Sequence, residues 1–117
     1  MNPQPLNCTL AIVDAHTARI ALSGDIVYDN GDRLLDVVDE LFARHGVRTV
    51  RLDCGGVGFC DSYGLSTLLA AHRRVTAAGA RLVLDNRRPA LDRLMRRTRT
   101  FHHLTGAVER QREEADS

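Results

Sequence analysis

Lysine is missing from this 117-residue chain, whose 16 basic residues are all arginine. Every chemistry that depends on a lysine amine is thereby excluded. A Walker phosphate loop needs Gly-Lys-Ser/Thr at a helix start, and the glycines at 55, 56 and 58 form no such loop, so nucleotide binding has no support. Cysteine is scarce as well. Cys8, Cys54 and Cys60 are odd in number and include no Cys-x-x-Cys pair, which argues against a disulfide framework or a zinc site and fits a reduced, cytosolic chain. No apolar run approaches the roughly 20 residues of a membrane helix, and the polar N-terminus, with prolines at 3 and 5, lacks a signal-peptide pattern. The expectation is a cytoplasmic protein with no membrane partner. A formal net charge of +1 points to no partner class.

What is present is ordinary for one globular domain: 44% hydrophobic and 26% charged residues, in a length that supports a single core. Residues 1–7 read as a flexible lead-in, 8–106 as the domain, and 107–117 as a short charged helix or tail. Cys8 to Val13 and the alternating Ala18 to Ser23, joined by the turn-like Asp14-Ala-His-Thr17, read as a β-hairpin. A helix is predicted over Asn30–Arg44, with Leu34, Val38, Leu41 and Phe42 on one face and Gly46 closing it. Val47 to Asp53 reads as a buried strand, and the glycines that follow as a sharp turn. A second helix over 62–77 has Leu65, Leu68, Leu69, His72 and Val75 at the spacing of one face, with Asp61 or Ser62 at the cap. Gly79 ends it. Arg81–Asp85 reads as a short strand, Pro89 as the first residue of a third helix, and Thr100 to Leu104 as an edge strand. The order predicts an α/β fold. A mixed, mostly parallel sheet of four to five strands has its first strand antiparallel and helices packed on it. Functional groups in such sheets gather at the carboxyl ends of the strands, where Asp25 and the 53–64 stretch fall.

The residues narrow the chemistry further. A nucleophile elbow needs Gly-x-Ser-x-Gly, but Cys60 stands in place of the first glycine, and none of the five histidines is spaced as a base for Ser62. The chain is read as no enzyme, with no cofactor and no metal. A phosphoaspartate receiver domain would place Asp53 at a strand end, yet such domains hold the phosphoryl group with a lysine. His72 reads as a structural histidine, and His102-His103 as two residues pointing to opposite faces of a strand. Cys54 and Cys60 read as small apolar fillers. The arginines from Arg87 to Arg99 lack interleaved aromatics and read as a solvated face, not a nucleic-acid surface. Ser62, a hydroxyl at a helix N-terminus, is different. Exposed amides and the helix dipole there both favour added negative charge. Beside it Tyr63 is a large amphipathic ring suited to an interface.

Asp53, Val57, Phe59, Asp61-Ser62, Gly64-Leu65 and Leu68-Leu69, preceded by an apolar strand, resemble the signature of STAS domains, in particular bacterial anti-sigma factor antagonists. Ser23-Gly24-Asp25-Ile26, the Gly79 break and the Pro89 helix fall in the family's order, so the likeness spans about residues 8 to 104. The resemblance implies a protein that binds an anti-sigma factor with serine kinase activity, releases the sigma factor, and is switched off by phosphorylation of Ser62. It implies a partner surface of Asp25, Asp61, Ser62, Tyr63, Gly64 and Ser66, a serine phosphatase as the resetting partner, and a monomer or weak homodimer. The alternative reading is a STAS module that is never phosphorylated and serves as scaffold or ligand sensor in a larger assembly.

Overall fold

A computed structural model describes residues 4–27 and 29–106. The chain runs as β1 (Asn7–Ile12), β2 (Thr17–Ile26), α1 (Asp32–Arg44), β3 (Thr49–Cys60), α2 (Ser62–Ala77), β4 (Arg81–Asp85), α3 (Pro89–Arg97) and α4 (Phe101–Thr105). The strands lie in sequence order in one four-stranded sheet. β1 runs antiparallel to β2, while β2–β3 and β3–β4 are parallel, as the alternation of strands and helices predicts.

Period-2 alternation puts Ala18, Ile20 and Leu22 of β2, Val50, Leu52 and Cys54 of β3, and Leu82 and Leu84 of β4 on one buried face. Against it pack Leu34, Val38 and Leu41 of α1, Leu65, Leu68 and Val75 of α2, and Met95 of α3, in a single core. The opposite face is solvated and carries charge across the strands. Arg51 pairs with Asp85 through Nε at 2.9 Å, and Arg19 of β2 pairs with Asp53 of β3. Asp53 also accepts from Gly55 N at 3.0 Å and from Asn86 Nδ2 at 3.1 Å. The Gly55 amide foremost, then Asn86 and Arg19, hold its carboxyl down at about 2. The fold is therefore two layers, with the helices on one side.

Several expectations change. β3 does not turn at its glycines but continues through them to Cys60, and β2 runs on beside it to Ile26 instead of stopping at Ser23. The reason is close approach: a Cβ on Gly56 would stand 2.5 Å from the carbonyl oxygen of Leu22, so glycine lets β3 pass where any side chain would collide. The pairing slips between Ala21 and Ser23 and again between Gly24 and Ile26, which turns the strand ends without breaking them. Thr100 to Leu104 is not an edge strand. It forms α4, because Phe101 and Leu104, three residues apart, both bury, and Gly106 at φ 73° closes the turn. His102 and His103 accordingly sit on a helix, where the His103 ring lies 4.4 Å from that of His72. Burial first, then His103, lowers the pKa of His72.

Residues 4–7 are not a loose lead-in. Leu6 is buried, Asn7 opens β1, and Gln4 exchanges hydrogen bonds with Asp25. Residues 1–3 and the expected tail at 107–117 lie outside the described residues. α1 begins at Asp32, two residues later than predicted, because Asn30 is engaged in the turn before it.

Candidate functional site

The site is built where β2 and β3 end together. Past its glycines β3 brings Asp61 to the end of β2, where the Asp61 amide donates to Ile26 O at 3.3 Å. α2 starts at once. Asp61 is extended, and its Oδ1 accepts from Gly64 N at 2.7 Å, so the aspartate and not the serine is the N-cap. Ser62 then occupies the first helical position, exposed. Among the described residues its hydroxyl makes no hydrogen bond. Its carbonyl accepts from Ser66 Oγ at 3.1 Å, which places Ser66 one turn along the same exposed stripe.

Gly64 serves the site by position. It is buried, and a Cβ there would stand 2.0 Å from Ile26 O, so only glycine lets α2 start this close to β2. Among the residues expected at the surface, it supplies the approach and no contact of its own. Asp25 lies on β2 one residue before Ile26. Its Oδ2 accepts from Gln4 N at 2.8 Å, and its carbonyl accepts from Asn30 Nδ2 at 2.8 Å. Its other oxygen faces β3, 3.0 Å from where a Gly58 Cβ would be. Asp25, Asp61, Ser62, Tyr63 and Ser66 are thus gathered at one end of the sheet, with Gly64 beneath them.

Tyr63 is 65% exposed, and Phe59, at the end of β3, is 58% exposed. Two large apolar rings in water a few residues either side of a helix cap are the strongest exposed aromatic feature among the described residues. Sequence reading singled out Tyr63 for an interface and used Phe59 only as part of a family signature. Alternation within β3 could not have exposed Phe59, since Val57, two residues before it, is buried. Phe59 instead borders the space between the end of β3 and α3, which leaves its ring largely in water.

The fold and the site together define a two-layer α/β domain with an exposed serine at the start of its second helix. The family model described as Mlab, STAS domain, matches residues 10–108. The chain belongs to the STAS family. Among solved structures it is similar to the phosphorylated form of SpoIIAA, the Bacillus cell fate determinant, at 19% identity, with a TM-score of 0.65 over 95% of this chain and 100% of that one. It is also similar to an anti-sigma factor antagonist from Mycobacterium paratuberculosis, at 21% identity and TM-score 0.65, over 80% and 77% of the two chains. The murine Slc26a9 anion transporter matches at 15% identity and TM-score 0.66, over 80% of this chain and 18% of that one. These identities speak for the fold. No curated protein matches the chain. Among the described residues no helix is long and apolar enough to cross a membrane.

Proposed function

We propose that this protein is an anti-sigma factor antagonist: it binds an anti-sigma factor with serine kinase activity, thereby releases a sigma factor, and is switched off when that kinase phosphorylates Ser62. The observation that carries the reading is the division of labour at the start of α2. Asp61 does the capping, so the Ser62 hydroxyl is exposed and free of any structural duty. A phosphate there adds about −1.5 to −2 charges at a helix end that favours anions, so the domain keeps its fold. The cost falls on the partner. A surface packed against Ser62, Tyr63 and Phe59 would have to desolvate a bulky dianion beside the carboxylates of Asp61 and Asp25. In this reading the protein works as a binding module in the cytoplasm, with a serine phosphatase to reset it and no catalysis of its own.

Incubation with ATP and candidate kinase anti-sigma factors, followed by intact-mass measurement, tests the proposal. One phosphate is expected, lost in Ser62→Ala. A second reading, a STAS module that is never phosphorylated and acts as scaffold or ligand sensor in a larger assembly, draws on the transporter, in which a similar fold is a small share of a long chain. No phosphate on Ser62 with any kinase, together with stable assembly into a larger complex, would favour it.

A further inference from the structure

A cleft of about 730 Å³ lies between the end of β3 and α3, adjoining the Ser62 surface at Phe59 but not lined by Ser62 or Tyr63. Its volume falls within the roughly 300–1,000 Å³ of small-molecule sites. Cys54, Val57, Leu91 and Leu94 form the apolar part of its lining, and Phe59 and Pro89 stand at its sides. The two thiols that line it, Cys54 and Cys60, are each pushed up to about 12, chiefly by burial, so they are protonated and behave as apolar surface at neutral pH.

Among the described residues the charged part of the lining has one sign. Arg88, Arg93 and Arg97 line the cleft, and among the described residues no aspartate or glutamate does. Of the other arginines in this stretch, Arg99 does not line the cleft, and Arg87 and Arg96 are occupied. Arg87 is bound to Asp92 at 2.7 Å and to Leu84 O at 3.0 Å, and Arg96 lies 4.2 Å over the ring of Phe101. Arg88, Arg93 and Arg97 have no carboxylate partner among the described residues. Arg93 and Arg97 are moreover four apart on α3, where like charges destabilise a helix. The arginine run that reads in the sequence as a merely solvated face is therefore divided, with three guanidiniums rimming an apolar cavity.

We propose that this cleft is a binding site for a small amphiphile with an anionic head, an alkyl carboxylate or an alkyl phosphate. The planar fork of a guanidinium matches either head in a bidentate, charge-assisted pair, and an anion relieves the unmatched Arg93 and Arg97. The apolar lining then removes the chain from water. This goes beyond the partner-switching reading and does not depend on it.

The test is titration of the whole chain with decanoate and with decyl phosphate below their micelle-forming concentrations, followed by amide chemical shifts. Shifts are expected at 54–60 and 88–97. Shortening the chain should weaken binding about fourfold per buried methylene. Inorganic phosphate alone should bind far more weakly, and comparing the two amphiphiles decides between the carboxylate and phosphate heads. The Arg93→Gln, Arg97→Gln double variant should bind at least about tenfold more weakly. Arg73→Gln, an exposed arginine on α2, should bind as wild type. Equal binding of decyltrimethylammonium, shifts elsewhere on the domain, or an unaffected double variant would overturn the proposal. So would an acidic peptide that fills the cleft when neither amphiphile does, since the site would then belong to a protein partner.

Discussion

Replacing Gly64 by alanine adds one methyl group at the point where α2 touches β2. In open helix the change would stabilise, since alanine is favoured over glycine by about 1 kcal/mol. Here the new Cβ would stand 2.0 Å from the carbonyl oxygen of Ile26 and 2.7 Å from its carbon, both backbone atoms that cannot swing aside. The helix start must retreat by about 1.4 Å to reach an ordinary contact of 3.4 Å. Such a retreat strains the 2.7 Å bond from Gly64 N to Asp61, a cap worth about 0.5–2 kcal/mol, and adds overpacking of about 1–3 kcal/mol. After the propensity gain, the net loss is about 0.5–4 kcal/mol, and in a domain of this size that lowers the melting temperature by about 2–25 °C. Gly46→Ala is the control, because nothing lies within 4 Å of a Cβ there, and it should melt within a degree or two of wild type. Calorimetric melts of the three proteins settle the matter. Should Gly64→Ala melt with wild type, the contact between α2 and the end of β2 is not tight, and Gly64 does not hold Ser62 in place.

Ser62→Asp should be as stable as wild type or slightly more so, because a helix N-terminus favours an anion, yet its binding to the cognate anti-sigma factor should fall sharply while Ser62→Ala still binds. Calorimetric titration with circular dichroism as the folding control reads this, and tight binding by Ser62→Asp would sink the switch. Tyr63→Ala and Phe59→Ala should leave the melt within about 1 kcal/mol of wild type, since both rings are more than half exposed, but should weaken partner binding. A large loss of stability in either would place its ring in the fold and not at the interface. Asp53 is held at about 2 against an ordinary value of 3.8, so the native state binds fewer protons than the unfolded one; the stability this confers is present above about pH 4 and lost as pH falls through 2. It is worth at most about 2 kcal/mol, less for screening at half-exposed Arg19, and urea melts of Asp53→Asn between about pH 5 and 2 should lose that part of the pH dependence.

Local physics made most of the elements legible in the sequence. The alternation of Ala18, Ile20 and Leu22, the helical face of Leu65, Leu68 and Val75, the stop at Gly79 and the helix start at Pro89 are contained within a few residues, and each formed as expected. That Asp61 or Ser62 caps α2 was legible for the same reason, being a matter of side chain and neighbouring amides; that it is Asp61 was decided by the structure. What distance along the chain hides, only tertiary structure decided. Gly55, Gly56 and Gly58 read as a turn because glycine permits one, whereas the need for Gly56 comes from β2, more than 30 residues earlier, whose backbone leaves no room there for a side chain. Gly64 owes its place to Ile26 in the same way. Phe101 became helical because the core had room for it and Leu104 on one side, a vacancy no local propensity records. Arg88, Arg93 and Arg97 acquired a cleft only when β3 ran past its glycines to face α3. A sequence states which conformations each residue tolerates; which of them is chosen depends on atoms that folding brings close from elsewhere in the chain.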